Sequence, residues 1–126
     1  RMLPFIGPFW NEYLALYFEH DVAHNQDGSV VSKCYRNGII EEGQHFFDVN
    51  PEEEWARVQV PTLLLRAGLG LFANNDQLLS EEAAAEVQRS IKDCRLVNYP
   101  TLNHYTIVMG NVEGEGVVDE IRNFVD

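Results

Sequence analysis

No stretch of this sequence approaches the ~18–20 consecutive apolar residues that a membrane-spanning helix requires, so a transmembrane segment is excluded. Basic residues are scarce: nine Lys and Arg stand against twenty Asp and Glu, a formal charge of −11. A phosphate backbone is gripped by clustered Lys and Arg, and no such cluster exists, which excludes nucleic acid as a partner. An anionic membrane surface is disfavoured for the same reason. Cysteine is also rare. Cys34 and Cys94 do not lie in a metal-type spacing and are too few for a disulfide framework, so both are expected to be reduced thiols in a cytoplasmic protein. No signal peptide is visible in a chain that begins at Arg1. What is present suits one folded domain: 126 residues, 45% apolar and 11% aromatic. Small molecules and protein partners remain.

The first half is mainly helical in pattern. Trp10, Tyr13, Leu14, Tyr17 and Phe18 form the i, i+3, i+4, i+7, i+8 stripe of an amphipathic helix over residues 8–19. Asp27-Gly28 marks a hairpin turn between a weak arm near Val22 and Val30-Val31. Residues 37–47 read as a poorer helix carrying Ile39, Ile40, Phe46 and Phe47, interrupted by Gly38 and Gly43. Asn50-Pro51-Glu52-Glu53 is a helix start: an N-cap, proline at the first helical position and acids in the first turn.

The pattern changes at residue 60. Val60-Pro61-Thr62-Leu63-Leu64-Leu65 is an unbroken apolar run, the mark of a strand buried on both faces of a parallel sheet. A loop over 68–79 follows. Ser80 caps a helix lined by Ala83, Val87 and Ile91. Residues 95–99 form a second strand closed by Pro100, and residues 117–125 form a last helix. Strand–helix–strand–helix predicts a right-handed βαβ unit with a covering helix. Two strands cannot bury both faces of a sheet, so the 60–67 strand is expected to be internal to a larger one. The chain either associates through its sheet edge or is the C-terminal part of something larger, and the second is the expectation.

Three groups could carry chemistry. Gly68-Leu69-Gly70-Leu71-Phe72-Ala73 matches a dinucleotide fingerprint in form, but Asn74-Asn75-Asp76 follows where a helix N-terminus should face the pyrophosphate. A flexible exit from the strand is the simpler reading, and no cofactor is expected. His20 and His24 have the HxxxH spacing of a zinc helix, with Glu42 and His45 further on, but the turn residues from Asn25 onward end the helix early. No metal is expected there. Asp76 and His104 lie in the loops after the two strands. In a parallel sheet both loops emerge at the carboxyl edge, where ligands bind. Adjacent strands are ~5 Å apart, so the carboxylate is expected to orient the imidazole and stabilise its charged form.

Val60-Pro61-Thr62-Leu63-Leu64-Leu65-Arg66-Ala67, Asn75-Asp76-Gln77, Leu96-Val97-Asn98-Tyr99-Pro100 and Asn103-His104-Tyr105-Thr106-Ile107 together resemble the C-terminal end of an α/β-hydrolase. The resemblance covers residues 58–126. Residues 1–57 are similar to the lid that many members insert before this segment. It implies an α/β fold: the C-terminal portion of a doubly wound sheet preceded by a mainly helical lid with a small hairpin. It further implies that Asp76 is the triad acid and His104 the general base. Trp10, Tyr13 and Tyr17 of the lid helix would then wall a pocket for apolar acyl or ring substrates, or else simply pack on the core.

The family's nucleophile elbow, GxSxG or its Asp and Cys variants, has no counterpart here. Ser29, Ser32, Ser80, Ser90, Cys34 and Cys94 all lack the flanking glycines. The resemblance therefore implies a partner: an N-terminal hydrolase segment that supplies nucleophile and oxyanion hole for a small ester, lactone or related carbonyl substrate. A serine would give esterase-like chemistry, an aspartate dehalogenase or epoxide-hydrolase chemistry. The alternative is a non-catalytic interaction or regulatory domain of the same descent.

Overall fold

Asn11 opens the first helix by accepting a hydrogen bond from the Leu14 amide at 2.9 Å. Helix α1 therefore runs over Glu12–His20, starting four residues later than the expected start at residue 8. The computed structural model describes residues 9–71, 73, 75–110 and 116–126, with Phe47 described through its backbone alone. The expected helical positions before residue 9, the Phe47 side chain, Phe72 and Asn74 lie outside the described residues. Leu14 is the fully buried residue of α1, worth about 2 kcal/mol of apolar transfer.

Strands β1 (Val22–His24) and β2 (Val30–Ser32) form the antiparallel hairpin. Its turn depends on Gly28, whose φ of +81° lies in the left-handed region. Asp27 Oδ1 accepts from both the amide and the hydroxyl of Ser29, at 2.9 and 2.7 Å. Those two bonds hold the Asp27 carboxyl below its usual pKa. Helix α2 spans Arg36–His45 and tightens into a 3₁₀ turn over Phe46–Asp48. Helix α3, Pro51–Ala56, starts as the sequence predicts, with the Asn50 side chain accepting from the Glu52 amide.

Strand β3 (Thr62–Ala67) pairs in parallel with β4 (Cys94–Tyr99), in register from Thr62↔Cys94 to Ala67↔Tyr99. Helix α4, Glu81–Ser90, connects them and packs on both, and α3 packs on α4. Its Ser80 cap is as expected, with Oγ accepting from the Ala83 amide at 3.1 Å. Val87 and Ile91 of the expected face are buried, Ala84 joins them, and Ala83 on the border of the same face is half-buried. A short helix α5, Thr106–Met109, was not foreseen in the loop after β4, and α6 spans Val117–Val125. Tyr99, Leu102 and Val117 make a small core against Leu65, Val97 and Ile107. Arg95 of β4 pairs with Glu120 of α6 at 2.5 Å.

The fold is thus mixed α/β, with one antiparallel hairpin and one parallel pair among the described residues. All six residues of β3 are half-buried, none exposed and none fully enclosed. The chain keeps 9,623 Å² of accessible surface. A compact protein of 14.4 kDa keeps about 6,800 Å². Tyr35, Ile39, Phe46, Val60 and Val108 are each more than half exposed. No helix among the described residues is long and apolar enough to cross a membrane.

Candidate functional site at the carboxyl edge of the parallel pair

The two strands end together at Ala67 and Tyr99, so their loops leave from one edge. Two backbone bonds join the segments, Gly68 N to the strand end at Tyr99 O and Leu69 N to Leu102 O in the second loop, both at 2.9 Å, and Leu102 N to Tyr99 O at 3.3 Å closes the second loop on itself. The loop after β3 is also stapled to its own strand. Gln77 Nε2 donates to the Gly68 carbonyl at 3.1 Å, and Arg66 Nε donates to the Leu79 carbonyl at 3.0 Å.

Asp76 closes this loop by accepting the Ala73 amide on Oδ1 at 2.9 Å. The bond passes over Gly70, where any Cβ would run into the Ala73 carbonyl and Asp76 Oδ1. A Cβ on Gly68 would lie 2.7 Å from Pro100 Cα. The two glycines thus permit close packing of backbone on backbone, and the next helix begins only at Glu81. A phosphate cradle would need a helix N-terminus at the glycines.

His104 stands at the other loop. A buried pair on either side fixes its backbone. Asn103, 2% exposed, accepts the Tyr105 and Thr106 amides on Oδ1 at 3.0 and 2.9 Å. Thr106, 1% exposed, accepts the Asn103 amide on Oγ1 at 2.8 Å. These reciprocal bonds, of capping-box type, brace the turn through His104 and Tyr105 that leads into α5 at Thr106. Sequence reasoning missed them, although the Asn-x-x-Thr spacing of 103 and 106 was their signal. The imidazole itself is exposed and lies edge-on to Tyr105, with ring centroids 5.8 Å apart. It borders a cavity of about 250 Å³ whose walls include Leu65, Leu69, Leu79 and Ile107.

Asp76 and His104 therefore share an edge and sit on two loops tied to each other. Asp76 Oδ1 accepts the Ala73 amide of its own loop.

Helix α1 reaches this site through aromatic contacts. Tyr17 meets Tyr105 edge-on at 6.0 Å, Phe18 meets it at 5.9 Å, and Trp10 stacks on Phe18 at 5.9 Å and 12°. Asn11 Nδ2 also donates to the Met109 carbonyl at 2.8 Å, pinning α1 to α5. Tyr17 thus lies one ring from His104 and Trp10 two rings, while Tyr13 is 59% exposed. The cavity beside His104 is lined by residues of β3, the loop after it and α5, and not by these three. Burial raises the Tyr17 phenol above its usual pKa, and the charge of Asp21 and the neighbouring Tyr105 add to the shift.

The remaining candidates fall elsewhere. His20 ends α1 and His24 lies in β1, so the HxxxH spacing does not fall on one helix. His24 Nε2 instead meets Glu19 Oε1 at 2.7 Å. No group of three or more His, Cys, Asp or Glu among the described residues is arranged to hold a metal ion. Ser29 and Ser80 serve the turn and the cap, and Ser32 Oγ accepts the Cys34 amide at 3.1 Å. Burial, with the charge of Asp93, raises the Cys94 thiol pKa, the opposite of an activated nucleophile. No family model, no curated protein and no solved structure matches this chain.

Proposed function

We propose that this chain is the acid- and base-bearing part of a serine-type α/β-hydrolase acting on an ester, lactone or related carbonyl. The observation that carries the reading is the lacing of the Asp76 loop to the His104 loop at the carboxyl edge of two adjacent parallel strands. In this reading β3 and β4 belong to a larger, doubly wound sheet, and a further polypeptide segment supplies the nucleophilic serine and the oxyanion donors. His104 takes the serine proton as the hydroxyl attacks the carbonyl, then gives it to the leaving group. Asp76 orients the imidazole and stabilises its charged form once its carboxylate turns from the Ala73 amide toward His104. The lid helix, through Tyr17 and Tyr105, stands beside the acyl side of the site. The chain by itself does not turn over substrate.

A second reading is a non-catalytic interaction domain of the same descent. The use of Asp76 Oδ1 as a loop-closing acceptor favours it. Hydrolysis of p-nitrophenyl butyrate by the chain together with its nucleophile-bearing segment separates the two. In the first reading His104→Ala lowers kcat by about 10⁴-fold or more, as for loss of a triad base. Turnover unchanged in His104→Ala overturns it.

A further inference from the structure

The cavity that His104 borders is apolar and small. Leu65, Leu69, Leu78, Leu79 and Ile107 line a space of about 250 Å³. Leu65, Leu79 and Ile107 are half-buried, while Leu69 and Leu78 are exposed. Its walls are held from several sides. Arg66 Nε donates to the Leu79 carbonyl at 3.0 Å, and the Leu69 amide donates to the Leu102 carbonyl at 2.9 Å. The reciprocal bonds of Asn103 and Thr106 brace the start of α5, which carries Ile107. A site whose walls are already fixed pays little ordering entropy when it is filled.

Size and charge limit what fits. An apolar cavity of about 150 Å³ accepts benzene, and a water molecule takes about 30 Å³ in the liquid. On that scale this cavity admits a group of about eight heavy atoms. Arg66 also borders it, but Nε and Nη1 of that side chain already serve the Leu79 carbonyl and Asn98 Oδ1. Leucine walls oppose burial of a charge. The group is therefore neutral, short and aliphatic or a single ring.

The position of His104 says which part of a substrate this group is. A proton donor must lie within hydrogen-bond reach of the atom that it protonates. In the hydrolase reading the acyl carbon–oxygen bond breaks, the serine oxygen keeps the acyl group, and the His104 proton passes to the departing oxygen. The carbon chain on that oxygen must then lie next to the imidazole. Tyr17 and Tyr105, which stand on the acyl side in that reading, are not among the described walls of the cavity.

We propose that this cavity is the leaving-group site, and that it selects esters of small neutral alcohols of up to about eight heavy atoms. The proposal rests on the hydrolase reading and deepens it, by naming the alcohol side of the substrate.

The alcohol product is a ligand in its own right, so binding to the 126-residue chain tests the site without turnover. The chain is titrated with n-butanol, n-hexanol, n-decanol and sodium hexanoate, and the side-chain methyl resonances are followed. n-Hexanol should shift Leu65, Leu79 and Ile107 saturably while Val30 and Val31 of the hairpin stay. From butanol to hexanol the affinity should rise about ten-fold, the value of two buried methylenes. n-Decanol should bind no more tightly than hexanol, and hexanoate should bind more weakly. Leu69→Trp fills the cavity from an exposed position, and Ile107→Trp fills it from α5. Each should weaken hexanol binding about ten-fold or more, with the β4 amides reporting that the variant is folded. Four results overturn the proposal: no saturable shift at the cavity methyls, affinity that climbs on to decanol, hexanoate binding tighter than hexanol, or binding unaltered in both folded variants. Turnover unchanged in His104→Ala overturns the hydrolase reading and takes the leaving-group assignment with it. Failure of hexanol to bind overturns the assignment alone.

Discussion

The Leu69 amide donates to the Leu102 carbonyl at 2.9 Å, and this one bond ties the loop carrying Asp76 to the loop carrying His104. Everything proposed for the site depends on those loops moving as a unit. The residues that hold them are therefore the first to test.

Asn103→Ala removes the acceptor of the Tyr105 and Thr106 amides inside a buried pocket. Loss of a cap together with a buried unpaired N–H should cost about 2 kcal/mol, read from urea denaturation. Asn103→Asp keeps the acceptor and should recover part of that loss. An alanine variant as stable as the parent would show that the His104 loop is not held this way.

His104 and Asp76 should respond oppositely. His104 is exposed, so His104→Ala should change stability by no more than about 0.5 kcal/mol. Asp76→Ala frees the Ala73 amide and should cost about 1 kcal/mol or more. A large loss with His104→Ala would assign that residue a structural role.

Gly70→Ala forces its new methyl against the Ala73 carbonyl and the Asp76 carboxylate. The loop must open, at about 1–3 kcal/mol, and Asp76 must leave its seat. The amide resonances of residues 68–79 should move while those of the hairpin stay. Unchanged resonances near residue 76 would contradict the closed loop.

Alkaline pH should loosen the α1 contact with Tyr105. Tyr17 has a raised folded pKa, so the folded state holds its proton where the unfolded state has already lost it. Stability should then fall as pH rises past the ordinary tyrosine value of about 10. Tyr17→Phe should flatten this fall in pH-dependent unfolding. An equally steep fall in the variant would place its origin elsewhere.

Local signals in the sequence were legible where the physics is local. Asn50-Pro51 and Ser80 cap their helices, Asp27-Gly28 turns the hairpin, and the Thr62–Leu65 run is a strand in a parallel pair. Position on a helix face was harder: Ala83 and Ala84 are alike in composition, and only packing on the strands selects Ala84. The shared edge of Asp76 and His104 followed from strand order, but the use of Asp76 Oδ1 by Ala73 depends on a tight turn over Gly70. The Asn103–Thr106 cap hid in a stretch read as plain loop. Trp10, Tyr13 and Tyr17 share a stripe, yet the stripe shows neither which ring meets Tyr105 nor that β3, its following loop and α5 line the cavity.

The central claim is that Asp76 and His104 complete the site of a serine hydrolase. Its most direct test treats the purified protein with a fluorophosphonate probe and takes the intact mass of every species present. A labelled serine on a companion segment held tightly to this chain is expected, with labelling lost in His104→Ala. A single unlabelled species of 14.4 kDa, or labelling indifferent to His104→Ala, would contradict it.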